Sequence, residues 1–334
     1  MTARHSRKGT LKDPPMGSNT HASPHEFAAG FATLPARLTF TADIERNPAD
    51  PTGTRHLAAT ATLLDLLDEA GARGTFFILG EVADAAPGLV RGIAARGHEV
   101  ASHNHSHQAL EALGPARLRE EAHRARCTLQ DLSGQPVPGF RAPYFSLTPA
   151  TEWAADTLLE VGHSYSSSVL PARALLHGHP TAPRRPFAWA GGLLELPAPV
   201  TRLGPMGLAI LGGMYLRYLP GWDLRRLTRR LEGPLAWTYC HPYDIDTAEP
   251  FHRCPKLGLL SSFFLWANRG TTARRLRQLL QGRVSIPLAE RMEEAWGMAR
   301  EPAPEPQTKP GDGPASGTAQ PSGTTRSARI ASGR

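Results

Sequence analysis

Only three cysteines occur in the 334 residues, Cys127, Cys240 and Cys254, and no two form a C-x-x-C pair. Neither a disulfide framework nor a zinc knuckle is therefore indicated. No run of about 18 apolar residues is unbroken. The nearest, LGPMGLAILGGMYLRYLP (203–220), is interrupted by Gly, Pro and Arg and reads as a buried loop and strand region. The start of the chain has no continuous apolar stretch of the signal-peptide kind, so a cytoplasmic protein is expected. A G-x-S-x-G elbow, a phosphate-binding Walker loop and a G-x-G-x-x-G after a strand are all missing. Those absences exclude the common serine-hydrolase, P-loop and dinucleotide-binding readings.

The two ends lack apolar periodicity. Residues 1–35 mix Arg, Lys, His, Pro, Gly and Ser and are expected to be disordered or loosely attached. Residues 301–334 are rich in Pro, Gly, Ser and Thr with Ile330 as their one large aliphatic residue, which predicts a flexible tail. Between them, residues 36–290 are long enough for one domain of barrel size.

A net charge of +7 with a pI near 9.7 raises the question of nucleic acid. The Arg clusters at 223–233 and 269–283, however, are interleaved with Leu at helical spacing. They read as amphipathic helices with solvated basic faces, leaving room for weak contact with a membrane surface or an anionic glycan. No nucleic-acid motif accompanies them.

Short β-prone runs alternate with helical patterns. ARLTFTAD (36–43), GTFFILG (74–80), HEVAS (98–102), VPGFRAP (137–143), GLLELPAP (192–199) and PLAWTYCHPYD (234–244) read as strands. Helices are predicted between them, with Gly71 and Gly97 just past two helix ends and Pro87 near a start. Repeated β-then-α units imply parallel strands joined by crossover helices. Polar residues collect at the strands' carboxyl ends: Asp43, His103, Arg141 and His241. An α/β barrel keeps its chemistry there.

The stretch GHEVASHNHSH (97–107) carries His103, His105 and His107 at alternate positions. One extended strand would project all three from one face; a helical turn beginning at His103 would stack His103 on His107 and send His105 outward. A strand that stops near Ser102 favours the turn. Two imidazoles and a carboxylate form a common catalytic zinc set, and TADIE offers Asp43 and Glu45 as the acid. His163, His177 and His179 border a Pro-rich loop and read as surface residues, and Cys240 reads as core.

In order along residues 36–290, the motifs LTFTADIE, GTFFILGEVADAAPGLVRGIAARGHEVASHNHSH, GFRAPYFS and WTYCHPYDID resemble those of the polysaccharide deacetylase (NodB-homology) family. YSSSVLP, GGMYLRYLP and HPYDID resemble the subgroup associated with exopolysaccharide and exosortase loci. The resemblance implies an α/β fold, a distorted (β/α) barrel of about seven parallel strands. It implies a hydrolase that removes N-acetyl groups from a hexosamine glycan with a divalent metal, foremost zinc, held by His103, His107 and Glu45. Asp43 would be the general base, Arg141 its partner, His241 the general acid, and the Tyr144 backbone N–H an oxyanion donor. Tyr144 and Phe145 would either meet a sugar face or pack in the core. Two other readings follow from the same fold: a silent glycan-binding or assembly protein, and a hydrolase of small cyclic amides. SYSSS (164–168) carries serines where the family has an Asp behind its catalytic histidine, leaving Asp244 or Asp246 to substitute.

Overall fold

The computed structural model describes residues 37–301 except 51, 175–176, 204–205, 233–234 and 255–257. The expectations for residues 1–35 and for the tail beyond Glu301 lie outside the described residues.

In chain order the first half runs β1 (Thr39–Ile44), α1 (Arg55–Glu69), β2 (Gly74–Ile78), α2 (Gly80–Ala85), α3 (Pro87–Ala95), β3 (Glu99–Ser102), α4 (Leu110–Ser133), β4 (Gly139–Phe140), α5 (Ala154–Val161) and β5 (Tyr165–Ser166). The second half adds β6 (Phe187–Ala188), β7 (Leu194–Glu195), β8 (Val200–Leu203), β9 (Met206–Leu208), α6 (Gly213–Tyr218), α7 (Gly221–Thr228), β10 (Leu231–Glu232) and β11 (Trp237–Cys240). It ends with α8 (Gly258–Trp266), α9 (Arg269–Leu280) and α10 (Met292–Arg300).

The apolar runs are strands buried on both faces, as a parallel sheet covered by crossover helices requires. Every residue of β1, β2 and β3 is buried. The main sheet has eight strands in the order β11-β1-β2-β3-β4-β5-β7-β6. All its pairings are parallel except β6 with β7. The seven parallel strands match the expected barrel, and the sheet stays open because β11 and β6 are both edges. Its curl is visible in the packing: Trp237 of β11 shares one apolar cluster with Phe77, Ala101, Tyr165 and Leu194. Side chains from strands six places apart in the order meet only if the sheet bends round on itself. The opposite faces of β1 and β2, through Phe40, Ala42, Phe76 and Ile78, pack on Leu63, Leu67, Val90, Ile93, Leu276 and Leu279 of α1, α3 and α9.

Some expectations change. Residues 203–220, expected as buried loop and strand, contain the β8–β9 hairpin end and then helix α6. The basic face predicted over 269–283 is not wholly solvated: Arg269 and Arg275 are buried, Arg269 against Glu249. No helix among the described residues is long and apolar enough to cross a membrane.

Candidate metal centre and active site

β1 delivers Asp43 near its end and Glu45 immediately after it, and both are buried. β3 ends at Ser102 between Ile78 of β2 and Phe140 of β4, and the His103 N–H continues the ladder to the Ile78 carbonyl at 3.0 Å. The chain then reverses, but not through the expected helical turn. Residues 105–107 are bends, and Asn104 sits in the left-handed region at φ +65°. That reversal is stapled from α4 by buried Glu121, whose Oε2 accepts from Asn104 Nδ2 at 2.8 Å and from the Ser106 N–H and hydroxyl. Burial raises the Glu121 carboxyl, yet hydrogen bonds from Ser106 and Arg117 outweigh it and hold it below its ordinary value.

The outcome for the histidines is convergence of two and departure of the third. One donor atom each from Glu45, His103 and His107 lies within 4.8 Å of the others. His107 Nε2 is 2.5 Å and His103 Nε2 3.8 Å from Glu45 Oε2. The Nδ1–H of His103 donates to the Arg141 carbonyl at 2.8 Å, which leaves Nε2 as the lone-pair nitrogen facing Glu45. His105 does not face outward as expected; it is half-buried against Gly80, where a Cβ would lie 2.3 Å from its Nδ1. The donor set of two imidazoles and a carboxylate, with one imidazole oriented by a backbone carbonyl, fits a catalytic divalent ion such as zinc. Glu45 also accepts from the Tyr243 hydroxyl at 3.1 Å. Burial raises its pKa, but the charges of His107 and His241 and hydrogen bonds from His103 and His107 keep it well below the usual carboxylate range.

Asp43 is engaged elsewhere. Arg141, fully buried, donates from one terminal nitrogen to Asp43 Oδ1 at 2.6 Å and to Thr41 Oγ1 at 2.9 Å. Its other nitrogens donate to the Ser167 carbonyl and hydroxyl, both at 3.1 Å. The guanidinium lies over Phe77 at 3.9 Å and Trp237 at 4.5 Å, which fixes its plane. Ser168 accepts from the Ala142 N–H, while buried Glu195 accepts from the Ser168 and Val169 N–H groups. The serines of SYSSS thus hold the Arg141 strand end and do not touch His241.

β11 leads into His241, and a one-turn helix over Pro242–Asp244 follows. Asp244 Oδ2 accepts from the His241 N–H at 2.8 Å and lies 3.1 Å from His241 Nδ1. Its other oxygen meets Arg217 of α6. Of the two expected substitutes, Asp244 is the acid beside His241, whereas Asp246 pairs with Arg55 at 2.7 Å. Gly213 permits this approach, since a Cβ there would come within 2.1 Å of Asp244 Oδ2. His241 stacks on Tyr243 with ring centres 4.7 Å apart, and its Nε2 is 3.9 Å from Glu45. Burial lowers the His241 pKa, but Glu45 and Asp244 prevail and raise it to about 9.

Tyr144 and Phe145 take left-handed backbone angles, φ +60° and +54°. Their rings divide: Tyr144 is exposed and lies over His107 with centroids 4.4 Å apart, whereas Phe145 stacks on Trp237 in the core. Beyond Tyr144 a cavity of about 450 Å³ is lined by Glu111, Thr148, Arg173 and His177. Cys240 is core, as expected. The surface reading of the other histidines is overturned. His163 is buried against Phe140, and His179 is buried with its Nε2 2.8 Å from Glu152; only His177 is partly exposed. Gly162, at φ +96°, turns the chain inward and takes His163 with it.

Fold and site together give an open (β/α) barrel with Glu45, His103 and His107, which could hold a metal ion, clustered at the carboxyl ends of its strands. A polysaccharide deacetylase model matches residues 51–160, and a model described as a domain of unknown function matches 167–290. A chitooligosaccharide deacetylase of Bradyrhizobium sp. is 32% identical over 112 residues, 30% of this chain and 51% of that protein. A peptidoglycan-N-acetylglucosamine deacetylase of Bacillus cereus is 32% identical over 101 residues, 30% of this chain and 37% of that protein. A solved Mycobacterium smegmatis structure assigned to the polysaccharide deacetylases has a TM-score of 0.53 at 20% identity, over 81% of this chain and 94% of that one, and shares the fold. Over residues 51–160 the chain is similar to the polysaccharide deacetylase family. It spans about half or less of the length of these two curated relatives.

Proposed function

We propose that this protein is a divalent-metal hydrolase that removes N-acetyl groups from a hexosamine-containing glycan or glycan precursor. The observation that carries the reading is the Glu45, His103 and His107 cluster, flanked by the Asp43–Arg141 and His241–Asp244 pairs. The relatives named as chitooligosaccharide and peptidoglycan deacetylases agree with it.

Glu45, His103 and His107 would hold a divalent cation, zinc foremost, which would supply Lewis acidity toward the amide carbonyl and toward a water near neutral pH. Asp43, oriented by its ion pair with Arg141, accepts the proton of the attacking water. The Tyr144 backbone N–H donates to the carbonyl oxygen as it becomes an oxyanion. The C–N bond breaks, His241 protonates the departing amine, and acetate and a free amino sugar are released. Asp244 holds His241 in orientation and favours its cationic form. The exposed Tyr144 ring offers a face for a sugar, and the cavity beyond it gives polar groups for hydroxyls. All but the first two residues of the motifs of the exopolysaccharide-associated subgroup fall within residues 167–290, matched by the model of unknown function, and we extend the proposal to a glycan of that kind.

Acetate release from chitin-type oligosaccharides and from a native exopolysaccharide, measured beside Asp43→Asn, tests the reading. Turnover that disappears in the variant supports it. Tight glycan binding with no turnover points to a silent binding protein. Turnover confined to cyclic amides points to the third reading.

A further inference from the structure

Helix α8 is built with its apolar side outward. Its nine residues, GLLSSFFLW, include no charge. Ser262 is its buried residue, with a hydroxyl that donates to the Gly258 carbonyl and accepts from the Cys254 N–H. Leu259, Leu260, Phe263 and Phe264 are 63, 70, 48 and 49% exposed. Positions i, i+1, i+4 and i+5 share one face of a helix, so these four form a single stripe. The stripe continues through ring contacts of Phe263 with Trp266 and of Trp266 with Phe251. On the other side it reaches Met214 of α6, 62% exposed. Contiguous apolar surface of this kind marks a binding face.

Met214 and Phe264 line the same cavity of about 420 Å³ as His241, Tyr243 and Asp244. The apolar face is therefore continuous with the catalytic histidine. Charge indicates what covers it. Every charged residue within 250–289 is basic; Arg269 is buried against Glu249 and Arg275 is also buried, while Arg253 and Arg274 are exposed, as is Arg277, which pairs with Glu69. An uncharged Leu/Phe helix set in a segment of one sign matches the boundary of an anionic bilayer, where side chains enter the acyl region and cations meet phosphate. A second copy of the chain would bring like charges together.

We propose that α8 and Met214 seat the protein on an anionic membrane surface, with the cavity beside His241 opening there, so that the glycan is taken from an amphiphile carried in that surface. The docking stands without the deacetylase reading; the substrate class rests on it.

Vesicles of phosphatidylcholine, with and without phosphatidylglycerol, test the docking by co-sedimentation of the full chain. Wild type should partition onto the phosphatidylglycerol vesicles, less so at high salt. Leu260→Ser/Phe263→Ser should lower the partition coefficient by roughly tenfold or more. Both positions are exposed, so the fold should be retained, which circular dichroism checks. Asp43→Asn should bind as wild type does, which separates docking from catalysis. Equal binding by wild type and the double variant, or no binding by either, overturns the proposal; a lipid-free dimer abolished by the double variant assigns the face to self-association instead. For the substrate class, the double variant should keep acetate release from soluble oligosaccharide and lose it from a glycolipid in vesicles. Equal loss on both substrates would overturn that part alone.

Discussion

His103→Ala and His107→Ala each remove one of two imidazoles beside Glu45, and either change should lower metal affinity by orders of magnitude, since even residues behind the ligands cost about 10–100-fold. His105→Ala should leave bound metal near the wild-type level, because that ring leans on Gly80 and not on the cluster. Elemental analysis of the three purified variants in parallel decides it, and equal loss in His105→Ala would contradict the geometry. Asp43→Asn makes a different prediction: metal content unchanged, turnover reduced at least about 100-fold, as for loss of a general base. The convergence of His103 and His107 was legible because a strand that ends at Ser102 must turn. The kind of turn was not: Asn is one of the residues that tolerate the left-handed region, but it does so only at some positions, and φ +65° at Asn104 follows once Glu121 is seen accepting from its side chain. Asp244 had a signal that could have been read further: H-P-Y-D places Pro first and an acid third in a helical turn, a capping pattern that returns the carboxylate to His241.

At the scale of elements, three supports come from far along the chain: Glu121 from α4 under the histidine turn, Arg217 from α6 behind Asp244, and Glu195 from β7 under the Ser168 backbone. Periodicity located α4 and β7 but not α6, which was expected as loop and strand, and it located none of the pairings, which depend on which faces the curled sheet brings together. The serines of SYSSS illustrate the gap: their type suggested a missing acid, whereas Ser167 and Ser168, just past the end of β5, accept from Arg141 and from the Ala142 N–H. The α4 support gives a prediction. Glu121→Ala leaves the Asn104 amide and the Ser106 N–H and hydroxyl without their acceptor and should cost about 1–3 kcal/mol in urea denaturation. Metal affinity should fall together with stability, because the same residues shape the turn between His103 and His107. Glu121→Gln, which keeps one carbonyl oxygen, should recover part of both. A variant that loses stability with unchanged metal affinity would show that α4 holds the fold and not the site.

For the whole molecule, the pH range of stability is set in part by two imidazoles remote from the ligand cluster. His98 is buried, and its Nδ1 accepts from the Gly74 N–H at 3.2 Å, a bond that requires an unprotonated nitrogen. Burial lowers its pKa to about 4, with nearby Arg96 and Arg73 adding to the effect against Asp68. His163 is buried against Phe140 without a well-formed hydrogen bond at either ring nitrogen, although the Val137 and Pro138 carbonyls lie nearby. Burial, reinforced by Arg126, lowers its pKa to about 3. In the unfolded chain both rings return to a value near 6.5. The folded values are depressed, so between them and 6.5 the unfolded chain binds more protons. The stabilising contribution is fully present above 6.5 and is lost as pH falls toward 4 and 3. Each histidine then removes about 1.4 kcal/mol of stability per pH unit within its window. His163→Leu takes one proton out of that balance while keeping an apolar contact for Phe140. Its urea-unfolding free energy should fall less steeply than wild type between pH 6 and 4, by about 1.4 kcal/mol per pH unit. Parallel slopes for the two proteins would mean that the folded state opens His163 to water before acid reaches it.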